Sequence, residues 1–218
     1  MVLHFPTPSG YGGWTIGYYG GARRTKGAPV RSDARARRQR IIEAACEIFR
    51  TQPDNAPLEN IAEHAGVGIA TLYRNFPDRA ALIHACAIHM FEQVLALQEE
   101  VLAGIDAAPE RHWFRYVDAF ITLGVGPLAA AFAPDNLNEL PCELAELRAR
   151  ASHNGEAIID AAKRHRLVAG DVSHETFIVG LLVVARPPVP GVLTIRPNIT
   201  TELVDLYLTG LKHGPQLR

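Results

Sequence analysis

The chain has 218 residues, 48% of them hydrophobic, and a formal net charge of −1, enough material to bury a full core in one large or two small domains, which excludes disordered and fibrous classes. Its longest apolar run, Phe177 to Ala185, falls well short of the roughly 20 residues that a membrane-spanning helix requires. Cys46, Cys86 and Cys142 stand far apart in sequence, without a pairing pattern or a CxxC spacing, and fit a reducing cytoplasm.

Residues 1–22 hold six glycines together with Tyr11, Trp14, Tyr18 and Tyr19, but neither the basic nor the apolar region of a secretory signal. With the cations that follow, residues 1–31 are expected to form a flexible, glycine-rich basic arm, and the sequence leaves open whether residues 1–22 are native. Between Arg23 and Arg40 eight cations face one acid, Asp33. Residues 1–79 carry eleven Lys/Arg and seven Asp/Glu, a net of +4, which leaves eleven and sixteen, a net of −5, for residues 80–218. The front of the chain is therefore basic and the rest acidic, a distribution that suits a polyanionic partner at the front, although a solvated basic tail has the same composition.

Ile41, Ala44, Ala45, Ile48 and Phe49 repeat as one stripe of a helix that ends by Pro53, with Arg37, Arg38 and Arg40 near its start in water. A second, short helix is expected from Pro57 to Ala65, with proline at its first position and Gly66 able to take the left-handed conformation that stops it. After the sharp turn of Gly66, Val67 and Gly68, a third helix spans Ile69 to Asn75 and closes at Phe76 and Pro77. Asp78 offers a side-chain cap to a long fourth helix, from about Arg79 to Ala103. Two short helices joined by a glycine turn and buttressed by a longer one form the helix-turn-helix arrangement, whose second helix enters the DNA major groove.

The stretch from Ile61 to Leu82, reading IAEHAGVGIATLYRNFPDRAAL, resembles the DNA-binding signature of the TetR family of regulators. Arg40, Ile41, Ile42, Glu43, Ala44 and Ala45 with Phe49 extend the resemblance over about residues 35 to 85. It implies that Thr71, Tyr73, Arg74 and Asn75 lie on a recognition helix against bases or flanking phosphates, and that Gly68, Ile69 and Ala70 face the groove. Arg79 stands where the family has a phosphate-gripping lysine, and Arg37 and Arg38 where the first helix nears the DNA backbone, so these would position the domain without reading sequence. The chain departs from the pattern at Pro57 and Gly68, where the family has hydroxyl residues that cap helices and bind phosphate. The fold is expected to hold without them, with backbone N–H groups or the basic arm supplying the grip.

The resemblance thus implies an all-α protein with a helix-turn-helix domain over residues 32–78 and a helical ligand-binding and dimerisation domain over residues 79–218. In the latter, helices are expected from about Glu110 to Ala131, Pro141 to Arg166, Ser173 to Arg186 and Asn198 to Lys212. Pro134 to Asn138 is read as irregular and Arg186 to Gly191 as a stiff connection. Phe177, Leu181, Leu182 and Val184, with Leu203, Leu206, Tyr207, Leu208 and Leu211, are more apolar side chains than one protomer needs on its last two helices. Leu181, Val184, Leu203, Leu206 and Leu208 are accordingly assigned to a homodimer interface built as a four-helix bundle. Trp113, Tyr116, Phe120 and Phe177, with His89, are the candidate ligand contacts, the aromatic stripe being equally readable as plain core.

These features imply a cytoplasmic transcriptional repressor that a small-molecule effector releases from a palindromic double-stranded operator, with no cofactor. A TetR-like dimer that binds small molecules but no longer reads DNA is the alternative. An enzyme is the remaining class: His84 and His89 lack metal-pair spacing, no metal ligand set is expected, and HExxH, GxSxG, GxxxxGK[ST] and GxGxxG do not occur.

Overall fold

Apolar residues at helical spacing govern the architecture. The computed structural model describes residues 29–51, 56–132, 139–185 and 190–214, and within these all regular structure is helical. The glycine-rich part of the expected arm, residues 1–28, lies outside the described residues, as do the whole stretch read as irregular, Pro134 to Asn138, and most of the Arg186 to Gly191 connection.

Helix α1 runs from Pro29 to Thr51, so it starts before the expected boundary at residue 32 and carries the arginines on helical turns. Arg35, Arg37, Arg38 and Arg40 are exposed while Ile41, Ile42, Ala45 and Phe49 are buried, a division that splits the helix into a basic first half and an apolar second half. Helix α2 spans Leu58–His64 and α3 spans Ile69–Asn75. Pro57 occupies the N-cap of α2 in an extended conformation, one position earlier than expected. Gly66 has φ +65°, and the turn closes with Val67 N–H donating to the Ala62 carbonyl at 2.9 Å and Gly66 N–H to the Glu63 carbonyl at 3.0 Å, which is how a left-handed residue satisfies the last carbonyls of a helix. Asp78 caps α4, Arg79–Gly104, accepting from the Ala81 N–H at 2.7 Å.

α4 is the central rod. By length and composition it is the one helix among the described residues apolar enough to cross a membrane, but Leu82, Cys86, Val94, Leu97 and Val101 place that apolar character in the core. It packs most extensively on α7, Cys142–Arg164, and also on α1, on α5, Pro109–Thr122, and on α6, Val125–Phe132.

The expected helix from Glu110 to Ala131 is two helices, α5 at Pro109–Thr122 and α6 at Val125–Phe132. The break is local: Gly124 has φ +65°, a conformation open to glycine and strained for other residues. α8, His174–Val184, begins at a Ser173 cap accepting from the Thr176 N–H at 3.0 Å. Pro190–Ile195 forms the short helix α9, so the connection read as stiff is helical at its described end. α10, Ile199–His213, closes the fold. Tyr207 on α10 donates from its hydroxyl toward the Thr176 and Phe177 carbonyls of α8, at 2.8 and 2.9 Å, which joins these two helices as a pair. One buried cluster reaches from Ile41 through Val101 to Leu211, so the front of the chain and the rear share a continuous core.

Candidate nucleic-acid interface and sensor

The candidate reading surface is built on α3. Its seven residues are too few for a helix stable on its own, so packing holds it: Leu72 is fully buried, and Phe76 just after it is nearly so. The opposite side carries Ala70, Tyr73 and Arg74, all exposed, with Tyr73 at 46%. Arg74 is steadied by its own helix, donating to the Ala70 carbonyl at 3.1 Å and the Thr71 hydroxyl at 3.0 Å, and the Asn75 amide donates to the Thr71 carbonyl at 2.8 Å. Ile69 and Thr71 are half-buried at the edges of this face. Gly68 holds the N-cap with an extended backbone and no side-chain hydrogen bond.

The expected phosphate contacts divide. Arg37 is exposed on α1. Arg38 is exposed but lies over the Phe76 ring, 4.8 Å from its centroid, so it also fastens α1 to the end of α3. Arg79 is turned inward instead: it donates to the Ala56 carbonyl and stacks over the Phe49 ring at 5.0 Å. Those partners give it a structural role, closing α4 onto α1 and the start of α2, that a lysine in the same place performs less well.

In the rear half, the aromatic candidates do come together. Phe177 of α8 lies 5.2 Å from Trp113 and 5.7 Å, stacked, from Tyr116, and Tyr116 meets Phe120 edge-on at 5.0 Å. All four are buried, packed against one another between α4, α5 and α8. Burial pushes the Tyr116 phenol well above its ordinary range, the hydrogen bond from Gln98 working the other way. Gln98 is not among the residues that the sequence points to as ligand contacts. It is 1% exposed, its amide donates to the Tyr116 hydroxyl at 3.2 Å and the Ala151 carbonyl at 2.8 Å, and its Oε1 is buried without a hydrogen-bond partner. The signal for it was a glutamine one turn after Val94 on an otherwise apolar stripe. His89, by contrast, is half-exposed and lies about 13 Å along α4 from Gln98, away from the cluster.

A separate open groove of about 740 Å³ runs between α5 and α10, lined by Arg111, Phe114, Asp118, Thr201 and Leu208 among others.

The assigned dimer residues also divide. Leu181 is 2% exposed, because it continues the Phe177 stripe one turn on, into the protomer's own core. Val184 and Leu208 are half-buried, while Leu203 and Leu206 are exposed. The outward face of α8 is carried by Val179 and Val183, at 52% and 64%.

The front and rear are tied by Arg50 at the end of α1. Its guanidinium donates to the Thr122 carbonyl at 3.0 Å, and a Cβ at Gly124 would collide with its side chain. The α5–α6 turn therefore grips the last turn of α1, next to the helix-turn-helix.

Comparison with known proteins agrees with this geometry. Residues 41–86 match the family model described as bacterial regulatory proteins of the tetR family. Residues 108–213 match the model for the C-terminal domain of SbtR-like transcriptional regulators. HTH-type transcriptional regulators of Staphylococcus aureus strains USA300 and NCTC 8325 are 39% identical over 56 residues, 25% of this chain. That match spans 30% of the length of those relatives. Among solved structures, the TetR-like regulator LfrR of Mycobacterium smegmatis, in complex with proflavine, aligns at a TM-score of 0.60 and 24% identity over 84% of this chain and 98% of that one. The TetR regulator SCO0520 of Streptomyces coelicolor aligns at 0.52 and 27%, over 83% and 99%.

Proposed function

Because the chain belongs to the TetR family of bacterial transcriptional regulators, we propose that it reads a palindromic operator as a homodimer and represses until a small-molecule effector releases it, in the cytoplasm. The observation that carries this reading is α3, whose one side is fixed by fully buried Leu72 while Ala70, Tyr73 and Arg74 stand exposed beside the arginines of α1. That is the division a helix needs to enter a groove roughly 12 Å wide without losing its support. Arg74 and Tyr73 then act on bases, and Arg37 and Arg38 on phosphates. Two copies meet through Val179, Val183, Leu203 and Leu206, a patch of exposed apolar side chains on the α8–α10 pair that a monomer rarely leaves open.

The effector is a mainly apolar molecule that enters the cluster of Trp113, Tyr116, Phe120 and Phe177. Gln98 Oε1 there lacks a donor, and a buried acceptor left unsatisfied costs about 1–3 kcal/mol, which a ligand N–H or O–H would recover. Displacing α5 moves the Thr122 carbonyl and Gly124, and with them Arg50 and α1. To change operator occupancy a hundredfold, the effector has to prefer the released arrangement by roughly 2.7 kcal/mol.

The test is selection of binding sites from random duplexes at two salt concentrations. A two-fold symmetric motif is expected, with affinity falling steeply as salt rises. Arg37→Ala should weaken all sequences alike and reduce the salt slope by about 1, whereas Arg74→Ala should cost about 1–3 kcal/mol at one base pair. Recovery of no motif by a protein that is dimeric in solution would replace this reading with a ligand-binding dimer that does not read DNA.

A further inference from the structure

The seam between α1 and α4 holds a pair of thiols that the regulator reading does not use. Cys46 on α1 is partly exposed and Cys86 on α4 is buried; both are free thiols. Cys86 Sγ lies 3.8 Å from the carbonyl oxygen of Ile42, one helical turn before Cys46. The Ile42 carbonyl points along α1 toward the Cys46 backbone, so the Cys86 sulfur is held beside Cys46, near enough for each thiol to shift the other. Two cysteines forty positions apart in sequence thus meet between the element that carries Arg37 and Arg38 and the rod that leads to the sensor.

We propose that Cys46 and Cys86 form a reversible disulfide on exposure to a hydroperoxide, and that the bond displaces α1 on α4 and weakens operator binding. The bond is independent of the regulator reading; its effect on the operator rests on it.

The two sulfurs are suited to different roles. The neighbouring Cys86 thiol holds the Cys46 thiol below its ordinary value against the opposing effect of burial, with Arg50 assisting and Glu43 opposing. Cys86 is pushed strongly upward by the Cys46 sulfur and by burial. Cys46 is therefore the attacking thiolate, partly accessible and beside a cation, as reactive cysteines are. Its sulfur attacks one peroxide oxygen and the O–O bond breaks, leaving a sulfenic acid and hydroxide. Cys86 sulfur then displaces the sulfenic hydroxyl, and its proton leaves with the oxygen as water. Together, the two thiols lose two protons and two electrons, and one hydroperoxide is reduced to an alcohol and water, or to two waters where it is hydrogen peroxide. An S–S bond is about 2.05 Å long, much shorter than a thiol–thiol contact, so closing it pulls the two helices together at the seam, and in the proposed switch the outward arginines move with α1.

Cys142 is exposed at the start of α7, and Glu146 raises its thiol, so Cys142→Ser supplies a full-length background with only the pair. In that protein, hydrogen peroxide should remove two hydrogens from the intact mass and join the Cys46 and Cys86 peptides, and a thiol reductant should undo both. Affinity for a selected duplex should fall about tenfold on oxidation and return on reduction. Cys46→Ser, or Cys86→Ala, which keeps the buried site apolar, should form no joined peptides and hold their affinity in peroxide. Stable oxygen adducts on Cys46, or disulfides between protomers, would overturn the proposal. Joined peptides with unchanged affinity would overturn the switch. If the reduced protein selects no duplex, the regulator reading fails, and the mass measurement still decides the bond.

Discussion

The front and rear of this molecule use apolar residues to different ends. In the helix-turn-helix, α2 and α3 have seven residues each, and neighbouring positions divide the work between them, so that Leu72 packs while Tyr73 beside it points out. In the rear, α8 and α10 are apolar on two sides, with Phe177, Leu181 and Leu211 turned inward and Val179, Val183, Leu203 and Leu206 turned outward. A short element with one apolar side has one possible orientation. A helix with two apolar sides leaves a second surface open, and it is this surface that the proposed homodimer covers.

The sharpest way to break this comparison is to truncate neighbouring residues on α3. Leu72→Ala should remove about 2–5 kcal/mol of stability, because the side chain is fully buried and the remaining short helix cannot collapse around the void. Tyr73→Ala, at a position 46% exposed, should stay within about 0.5 kcal/mol of the parent while operator affinity drops. Urea unfolding followed by circular dichroism, alongside duplex titration, checks both. A Tyr73→Ala protein as unstable as Leu72→Ala would make Tyr73 a packing residue and deprive α3 of its single orientation.

A smaller effect is expected in the rear, where α8 meets α7 through His174. This ring is 6% exposed and sits where a Cβ on Gly155 would be. Burial holds its pKa below the ordinary value, with Glu156 opposing. The unfolded chain takes up a proton near pH 6.5 and the folded one only at lower pH. Stability is therefore complete above about pH 6.5 and declines as pH falls below it. Urea midpoints at a series of pH values should show this decline, and His174→Gln should flatten it. An unchanged decline would place the responsible group elsewhere.

Most of the front was legible because its signals are local: a glycine turn, a proline, an aspartate cap and a stripe of apolar residues each fix backbone over a few positions. Ile61, Leu72 and Phe76 in the core and Ala70, Tyr73 and Arg74 outside follow directly. Arg79 was not legible, since its partners, the Ala56 carbonyl and the Phe49 ring, are brought to it only by the packing of three helices. In the rear, helix existence followed from periodicity, but Gly124 falls inside the expected Glu110 to Ala131 helix when its positive φ ends α5. The aromatic cluster was visible as a stripe, whereas the buried Gln98 that completes it reads as a surface residue until α7 supplies the Ala151 carbonyl. Leu181 was assigned to the partner's side because composition counts apolar residues without saying which side of α8 meets the protomer's own core.

The smallest predicted effect concerns the departure at the start of α3. Gly68 has φ −72° and ψ 149°, an extended N-cap conformation that any residue adopts, and a Cβ there would meet nothing within 4 Å. Glycine is therefore not required by the backbone of the free protein. Gly68→Ser places a hydroxyl where it accepts from the Ala70 or Thr71 N–H, a change worth a few tenths of a kcal/mol over glycine. In the proposed complex this hydroxyl stands where the family's hydroxyl binds phosphate, so affinity should rise equally for the selected duplex and for a scrambled one. Stability and affinity rising together would mean that the family's missing hydroxyl has simply been restored. A gain in stability with a loss of affinity would mean that the DNA backbone approaches Gly68 more closely than a side chain allows, and that this head grips phosphate through its main chain.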